Sequence, residues 1–158
     1  MNVCRRYTHD LEEAKSLVNE GMLKVFTQLR KYSPELSYGG WLRKIMVNTA
    51  IDHYRKAKIF QDRFKELEGE NISVYYQENV IEKISADELL ALVQELPPAY
   101  RLVFSLYAVE EYTHKEIAEH LGISEGTSKS NYAKAKAKLQ KAMASLHPIN
   151  GINDGQRR

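Results

Sequence analysis

One cysteine, Cys4, stands alone in 158 residues, so no internal disulfide can form. Its surroundings carry no metal-ligand spacing either. The chain holds no apolar run long enough to span a bilayer. Its first residues, "MNVCRRYTHD", lack the apolar core of a signal peptide. The expected setting is the reduced cytoplasm, without membrane insertion. Glycine and proline are scarce, at eight and four, and fall between periodic segments, so helix should dominate. Strand-like alternation is confined to "ISVYYQ" (72–77). Catalytic signatures are missing as well. There is no glycine-rich phosphate loop and no nucleophile motif. His9, His114, His120 and His147 have no partner at metal spacing, "HKEIAEH" sets its two histidines six apart, on different helix faces, and the adjacent Asp52 and His53 point about 100° apart on a helix and cannot form a catalytic pair. These absences argue against an enzyme and imply no cofactor.

What is present is charge, unevenly placed. Residues 1–58 carry 11 Lys/Arg against 6 Asp/Glu; residues 59–95 carry 3 against 9; residues 96–158 carry 9 against 6. Two basic blocks flank an acidic one. That pattern fits two modules that touch a polyanion and a connector that does not.

Periodicity and caps set the helices. Asp10 is an N-cap for a first helix from about residue 10 to 31, with Leu11, Ala14, Val18, Met22, Val25 and Leu29 on its buried face. "SPELSYGG" breaks it, and a second helix runs from Trp41 to about Lys58. Residues 59–84 read as a linker, helical in part near 60–67. "SADE" at 85–88 is a capping box that opens a third helix, which ends before Pro97–Pro98. Pro98 starts a fourth, with Leu102, Val103, Leu106 and Tyr107 buried. "THKE" at 113–116 is a second capping box; the fifth helix stops at Gly122, and Ser124 caps the sixth. Residues 147–158 have no periodicity and read as a flexible tail.

The last two helices form the strongest motif. Gly122-Ile123-Ser124 suits the tight turn of a helix-turn-helix: a glycine that tolerates positive φ, an apolar anchor and a cap. Ala118 is small enough for a close helix crossing. On the sixth helix Tyr132, Ala135, Leu139, Ala142 and Leu146 share one stripe, which Lys129, Lys134, Lys136, Lys138 and Lys141 avoid. Any amphipathic helix keeps lysines off its apolar face. The caps and the glycine turn favour the sharper reading, a recognition helix whose Thr127, Lys129, Ser130 and Lys134 reach bases and phosphates first.

The second helix, "GGWLRKIMVNTAIDHYRKAK", can turn Leu42, Met46, Ala50 and Tyr54 to a core. Trp41, Ile45, Asn48 and Asp52 then line another face, with Lys44 and Arg55 beside them. A ring, an amide and cations together suit single-stranded DNA. Residue physics alone favours the simpler account, a core tryptophan with solvated polar neighbours.

The stretch "EEAKSLVNEGMLKVFTQL" followed by "GGWLRKIMVNTAIDHYRKAK", and then "VQELPPAYRLVFSLYAVEEYTHKEIAEHLGISEGTSKSNYAKAKAKL", resembles the sigma-70 family of RNA polymerase sigma factors, of the extracytoplasmic-function (ECF) type. The resemblance implies an all-α protein of two small helical domains joined by an acidic linker. Residues 1–58 would be domain 2, residues 59–84 the linker, and residues 85–146 domain 4 with its helix-turn-helix. It implies that Asn19, Glu20 and Leu23 meet the polymerase β′ coiled coil. Trp41, Lys44, Asn48, Asp52, Arg55 and Lys56 would face the promoter −10 element, and the loop Ser37–Gly40 would hold a flipped base. Ser124, Thr127, Lys129, Ser130, Asn131, Lys134 and Lys138 would face the −35 element, near the β flap, with the linker directed toward the RNA exit channel. Core RNA polymerase and promoter DNA are the implied partners, with an anti-sigma factor as a further candidate.

Departures from the family pattern are specific. The family implies a further helix before residue 10, of which "MNVCRRY" would be the end. Lys15 and Ser16 stand where relatives often carry acids, Ser128 where an apolar residue is usual, and Asn131 where Arg is usual. The principal expectation is an initiation factor. A polymerase- or partner-binding regulator without promoter activity is the alternative, and a one-domain regulator built on residues 85–146 is a third.

Overall fold

The computed structural model describes residues 2–35, 37–62 and 85–146. Among them every regular element is a helix. The β-like run at 72–77, residues 63–84 of the expected linker and the tail lie outside the described residues, whereas residues 59–62, expected in the linker, continue a helix.

α1 (Asn2–Arg5) is a single turn that buries Cys4. α2 (Leu11–Gln28) begins where Asp10 accepts a hydrogen bond from the Glu13 amide at 2.8 Å, and Glu12 and Glu13 sit at the favourable positive end of its dipole. A 3₁₀ turn (Leu29–Lys31) closes it. The buried face of α2 is Ala14, Leu17, Gly21 and Val25: Ala14 and Val25 of the predicted stripe are buried and Val18 and Met22 pack against the core, but the face is rotated toward Leu17 and Gly21. Leu11 and Leu29 are each 50% exposed. Gly21 explains the rotation. A Cβ there would stand 2.3 Å from Met46 Sδ, so its lack of a side chain lets α3 approach.

α3 (Tyr38–Asp62) starts earlier than its sequence implied. The expected loop at Ser37–Gly40 is its first turn: Trp41 N–H bonds the Ser37 carbonyl at 2.9 Å, and Ser37 Oγ accepts from the Gly40 amide. Met46 and Ala50 are core as expected; Ile45, placed on the DNA face, is also core. These residues join Cys4, Leu17 and Val25 in one cluster uniting α1, α2 and α3.

α4 (Ala86–Gln94) and α5 (Pro98–Ala108) follow the predicted starts, a capping box at Ser85 and Glu88 and a proline at the first helical position. α6 (His114–Leu121) and α7 (Glu125–Leu146) are the last two helices among the described residues. α7 lies along α5, and Ala135 and Leu139 pack with Val93 and Leu96. Arg101 is a buried cation on the apolar side of α5. It donates to the Leu96 carbonyl at 2.9 Å, and burial lowers its pKa. Tyr107 is 39% exposed instead of buried, and Leu146 at the end of the α7 stripe is 54% exposed.

The two halves pack on each other. Val47 and Ile51 of α3 sit in one buried cluster with Leu102, Val103 and Leu106 of α5 and Ile117 and Leu121 of α6. Polar contacts line the same seam. Gln94 donates to the Arg5 carbonyl at 3.2 Å, and Ser105 Oγ donates to the Arg6 carbonyl at 3.2 Å. No helix among the described residues is long and apolar enough to cross a membrane.

Candidate nucleic-acid interface

The α6–α7 pair is held by short-range chemistry. Thr113 Oγ1 accepts from the Glu116 amide at 3.2 Å, and Glu116 returns the contact by accepting from the Thr113 amide at 2.8 Å. The Thr113 hydroxyl also donates to the Glu116 carboxylate at 2.7 Å, and this bond, with that from the Thr113 amide, keeps the Glu116 carboxyl below its ordinary pKa. Gly122 takes φ 64° and ψ 40°, the left-handed region, and the Ile123 amide closes onto the Ala118 carbonyl at 3.1 Å. Ser124 Oγ then accepts from the Thr127 amide at 3.0 Å and starts α7. Ile123 packs against the core as the predicted anchor.

This geometry sorts the predicted contact residues of α7. Ser124, Thr127, Lys129 and Ser130 are exposed on its first turns. Asn131, Lys134 and Lys138 are half-buried. Lys134 leans back, its Nζ 6.0 Å from the Tyr100 ring centroid. Lys129 is paired with Glu125 at 2.7 Å, a contact that holds the Glu125 carboxyl below its ordinary pKa. Ser128 is fully buried and shares a 3.0 Å hydrogen bond with His114 Nδ1, so the unusual serine ties the recognition-type helix to the helix before it.

On α3, Trp41 is half-buried within an aromatic group. Tyr32 lies 5.2 Å and Tyr38 5.9 Å from it, centroid to centroid. Sequence reasoning missed both tyrosines. Tyr38 had a signal, since it precedes Trp41 by three residues and so shares its helix face. Lys44 is exposed and Asn48 half-buried. Asp52 accepts an ion pair from Lys24 at 3.0 Å; Lys24 also reaches Glu20 at 3.7 Å, and Glu20 meets Lys56 at 3.4 Å. Residues expected on a DNA face and on a polymerase face therefore share one ionic chain. Arg55 is exposed and donates across the seam to the Glu119 carbonyl at 3.5 Å.

Of the expected polymerase contacts, Asn19 and Leu23 are exposed while Glu20 turns toward the lysines. Phe26 was missed. It is 70% exposed beside Leu23 at 64%, three residues on and on the same face.

The seam holds one more charged group. Glu110 follows α5, and its side chain is only 6% exposed. One carboxylate oxygen takes Arg43 Nε at 2.6 Å and the other Arg6 at 3.0 Å. Arg43 also donates to the Val109 carbonyl at 3.3 Å. Its hydrogen bond to Glu110 raises the Arg43 pKa. Burial, reinforced by the Glu110 charge, pushes the Tyr7 phenol far above its ordinary range. Beside this cluster an open cleft of about 520 Å³ runs between Gly40, Arg43, Lys44 and Glu110, Glu111, Tyr112.

Comparison with known proteins agrees with this layout. Residues 1–59 match the family model for Sigma-70 region 2, and residues 86–139 the model for Sigma-70, region 4. The chain is 25% identical to the ECF RNA polymerase sigma factor SigW of Bacillus subtilis, over 91% of this chain and 82% of that protein. It is 27% identical to SigM of the same organism, over 93% and 86%. The sigma factor RpoE of Bartonella quintana, solved in complex with the anti-sigma factor NepR, shares the fold with a TM-score of 0.55 at 16% identity, covering 95% of this chain and 90% of that one. The chain belongs to the sigma-70 family, among its ECF RNA polymerase sigma factors. Its general class is thus that of factors directing RNA polymerase to promoters.

Proposed function

We propose that this protein recognises promoters at two places, reading a −35 element with α7 and stabilising an opened −10 strand with α3. The observation that carries the reading is the α6–α7 pair. A capped helix, a left-handed Gly122 and a second capped helix leave Ser124, Thr127, Lys129 and Ser130 in solvent on the first turns. That is where a helix-turn-helix meets base edges. Lys134 and Lys138 flank the surface for phosphates, and Asn131 borders it. On α3, Trp41 with its tyrosines offers a stacking surface, and Lys44, Asn48, Asp52, Arg55 and Lys56 supply polar and charged groups along one side.

Core RNA polymerase is the proposed partner. The exposed Leu23 and Phe26, with Asn19 beside them, form the apolar patch that supports a docking role for α2 toward the β′ coiled coil, while region 4 would lie near the β flap. An anti-sigma factor is a further proposed partner, and the cytoplasm the proposed setting. No covalent chemistry is assigned to the protein.

Run-off transcription with core polymerase and an ECF-type promoter tests the reading. Lys129→Glu with Ser130→Glu should abolish output that depends on the −35 element and leave polymerase binding intact. Unchanged transcription would remove α7 from the mechanism. Polymerase binding without any promoter-dependent transcript would favour the regulator without promoter activity instead.

A further inference from the structure

The seam between the halves is closed by a carboxylate in a place where a phosphate would fit. We propose that Glu110 is an internal stand-in for a nucleic-acid phosphate, and that DNA must displace it before Arg43 can act as a backbone contact. The inference rests on the reading above that α3 faces an opened strand.

Arg43 lies on α3 between Gly40 and Lys44, at the edge of the open cleft, and is 45% exposed. A guanidinium recognises carboxylate and phosphate with the same forked donors. Here Glu110 takes the Arg43 Nε at 2.6 Å and its other oxygen holds Arg6 at 3.0 Å, so one acid fastens the turn after α5 to α3 and to the residue that follows α1. The neighbouring Glu111 lines the same cleft and takes φ 60°, a backbone conformation costly for a residue with a side chain. One acid is therefore paired with two cations, and a second acid lines the cleft beside it on a turn held against its own preference.

The promoter reading requires this contact to open. Elements roughly 25 base pairs apart stand about 85 Å from each other at ~3.4 Å per base pair. A packed chain of this length has a radius of gyration of roughly 15 Å. The two halves cannot hold both elements while Val47 and Ile51 stay buried against Leu102 and Leu106. Opening frees Arg43 as it separates Glu110 from it. DNA and Glu110 thus compete for one guanidinium, and closure lowers the affinity of the free protein for DNA.

The test uses the full chain without polymerase. The probe is a fluorescein-labelled single-stranded DNA of mixed sequence, read by anisotropy across a salt series, and small-angle scattering reports the radius of gyration. Glu110→Gln and Glu110→Ala should each raise the radius of gyration and tighten DNA binding about tenfold. Arg43→Ala should also open the chain, yet weaken binding relative to Glu110→Ala and reduce the salt slope by about 0.7, the share of one phosphate on a single strand. The exchange of Arg43→Glu with Glu110→Arg should close the chain again without restoring the Arg43 contribution. Unchanged DNA binding in Glu110→Gln, a salt slope indifferent to Arg43→Ala, or no DNA binding by any of these proteins would overturn the proposal. Failure here with promoter-directed transcription intact removes only the phosphate mimicry, whereas loss of that transcription in the native protein removes the promoter reading itself.

Discussion

His114 Nδ1 and Ser128 Oγ meet at 3.0 Å, joining the first residue of α6 to a fully buried serine of α7. The imidazole is stacked on Tyr107 at 4.3 Å and approaches the Tyr132 ring edge. A hydroxyl in this position is retained by its partner. Ser128→Ala should cost about 1 kcal/mol by removing one hydrogen bond, and Ser128→Leu about 1–3 kcal/mol by overfilling the site. Urea denaturation of the full chain measures both.

The same ring predicts a dependence on pH. Burial pushes His114 below its ordinary pKa of 6.5, the Lys129 charge adds to this, and Glu125 opposes it. The unfolded chain therefore takes up the proton first as the solution is acidified. The stabilising share of the neutral ring is complete above 6.5 and is lost as pH falls toward the lowered folded value. Urea midpoints between pH ~7.5 and ~5 should decline less steeply in His114→Asn than in the native protein. Parallel curves would show that the ring is not responsible.

Gly122 separates backbone cost from crowding. Its φ is 64°, and an added Cβ would meet nothing within 4 Å. Gly122→Ala should therefore lose about 1–2 kcal/mol from conformation alone. Gly122→Asn should lose less, because asparagine tolerates the left-handed region better. Equal losses on thermal melting would point to a contact instead of a dihedral.

Gly21 presents the opposite case. Its cost lies in space, since a Cβ would stand 2.3 Å from the sulfur of Met46. Gly21→Ala should destabilise by about 1–3 kcal/mol. Combining it with Met46→Ala should cost less than the sum of the single changes, because the second change empties the volume that the first invades. Additive losses would show that α2 and α3 do not meet at this pair.

These positions also show what could be read from the chain without coordinates. The helix starts at Asp10, Ser85, Thr113 and Ser124 were legible because each cap bonds an amide three residues away. The face of α2 was not. Gly21 carries no hydrophobicity, so periodicity passed over the residue nearest Met46 and assigned Leu11 and Leu29 to the core. Ser37–Gly40 read as a loop because its glycines disfavour helix, while Ser37 satisfies the first turn locally. The local geometry of the helix pair was legible, because the turn at Gly122 and the cap from Ser124 to the Thr127 amide rest on residues close in sequence. Geometry that depends on contact across the chain was illegible. Arg43 and Glu110 are 67 residues apart, and neither has a neighbour in sequence that announces the other. The ionic chain through Lys24 likewise joins residues from two helices that the sequence had assigned to two different faces.

Lys129 offers the most direct probe of the α7 surface because its present partner is on the same helix. Glu125 holds the ammonium at 2.7 Å, with side-chain exposures of 61% and 50% for the lysine and the acid. Such exposed pairs contribute little to stability, so Glu125→Gln should leave the melting temperature nearly unchanged. It nevertheless removes an acid from the first turn of the surface assigned to DNA and releases a cation there. Binding of the −35 duplex by the polymerase complex should tighten about two- to fivefold, the modest effect expected when an exposed acid no longer competes for the lysine. The gain should shrink as salt is raised, since the freed lysine acts through counterion release. In Glu125→Gln combined with Lys129→Ala the gain should largely disappear. A gain that survived without Lys129 would assign the effect of Glu125 to its own charge, and a loss of affinity in the single variant would place Glu125 among the groups that contact DNA.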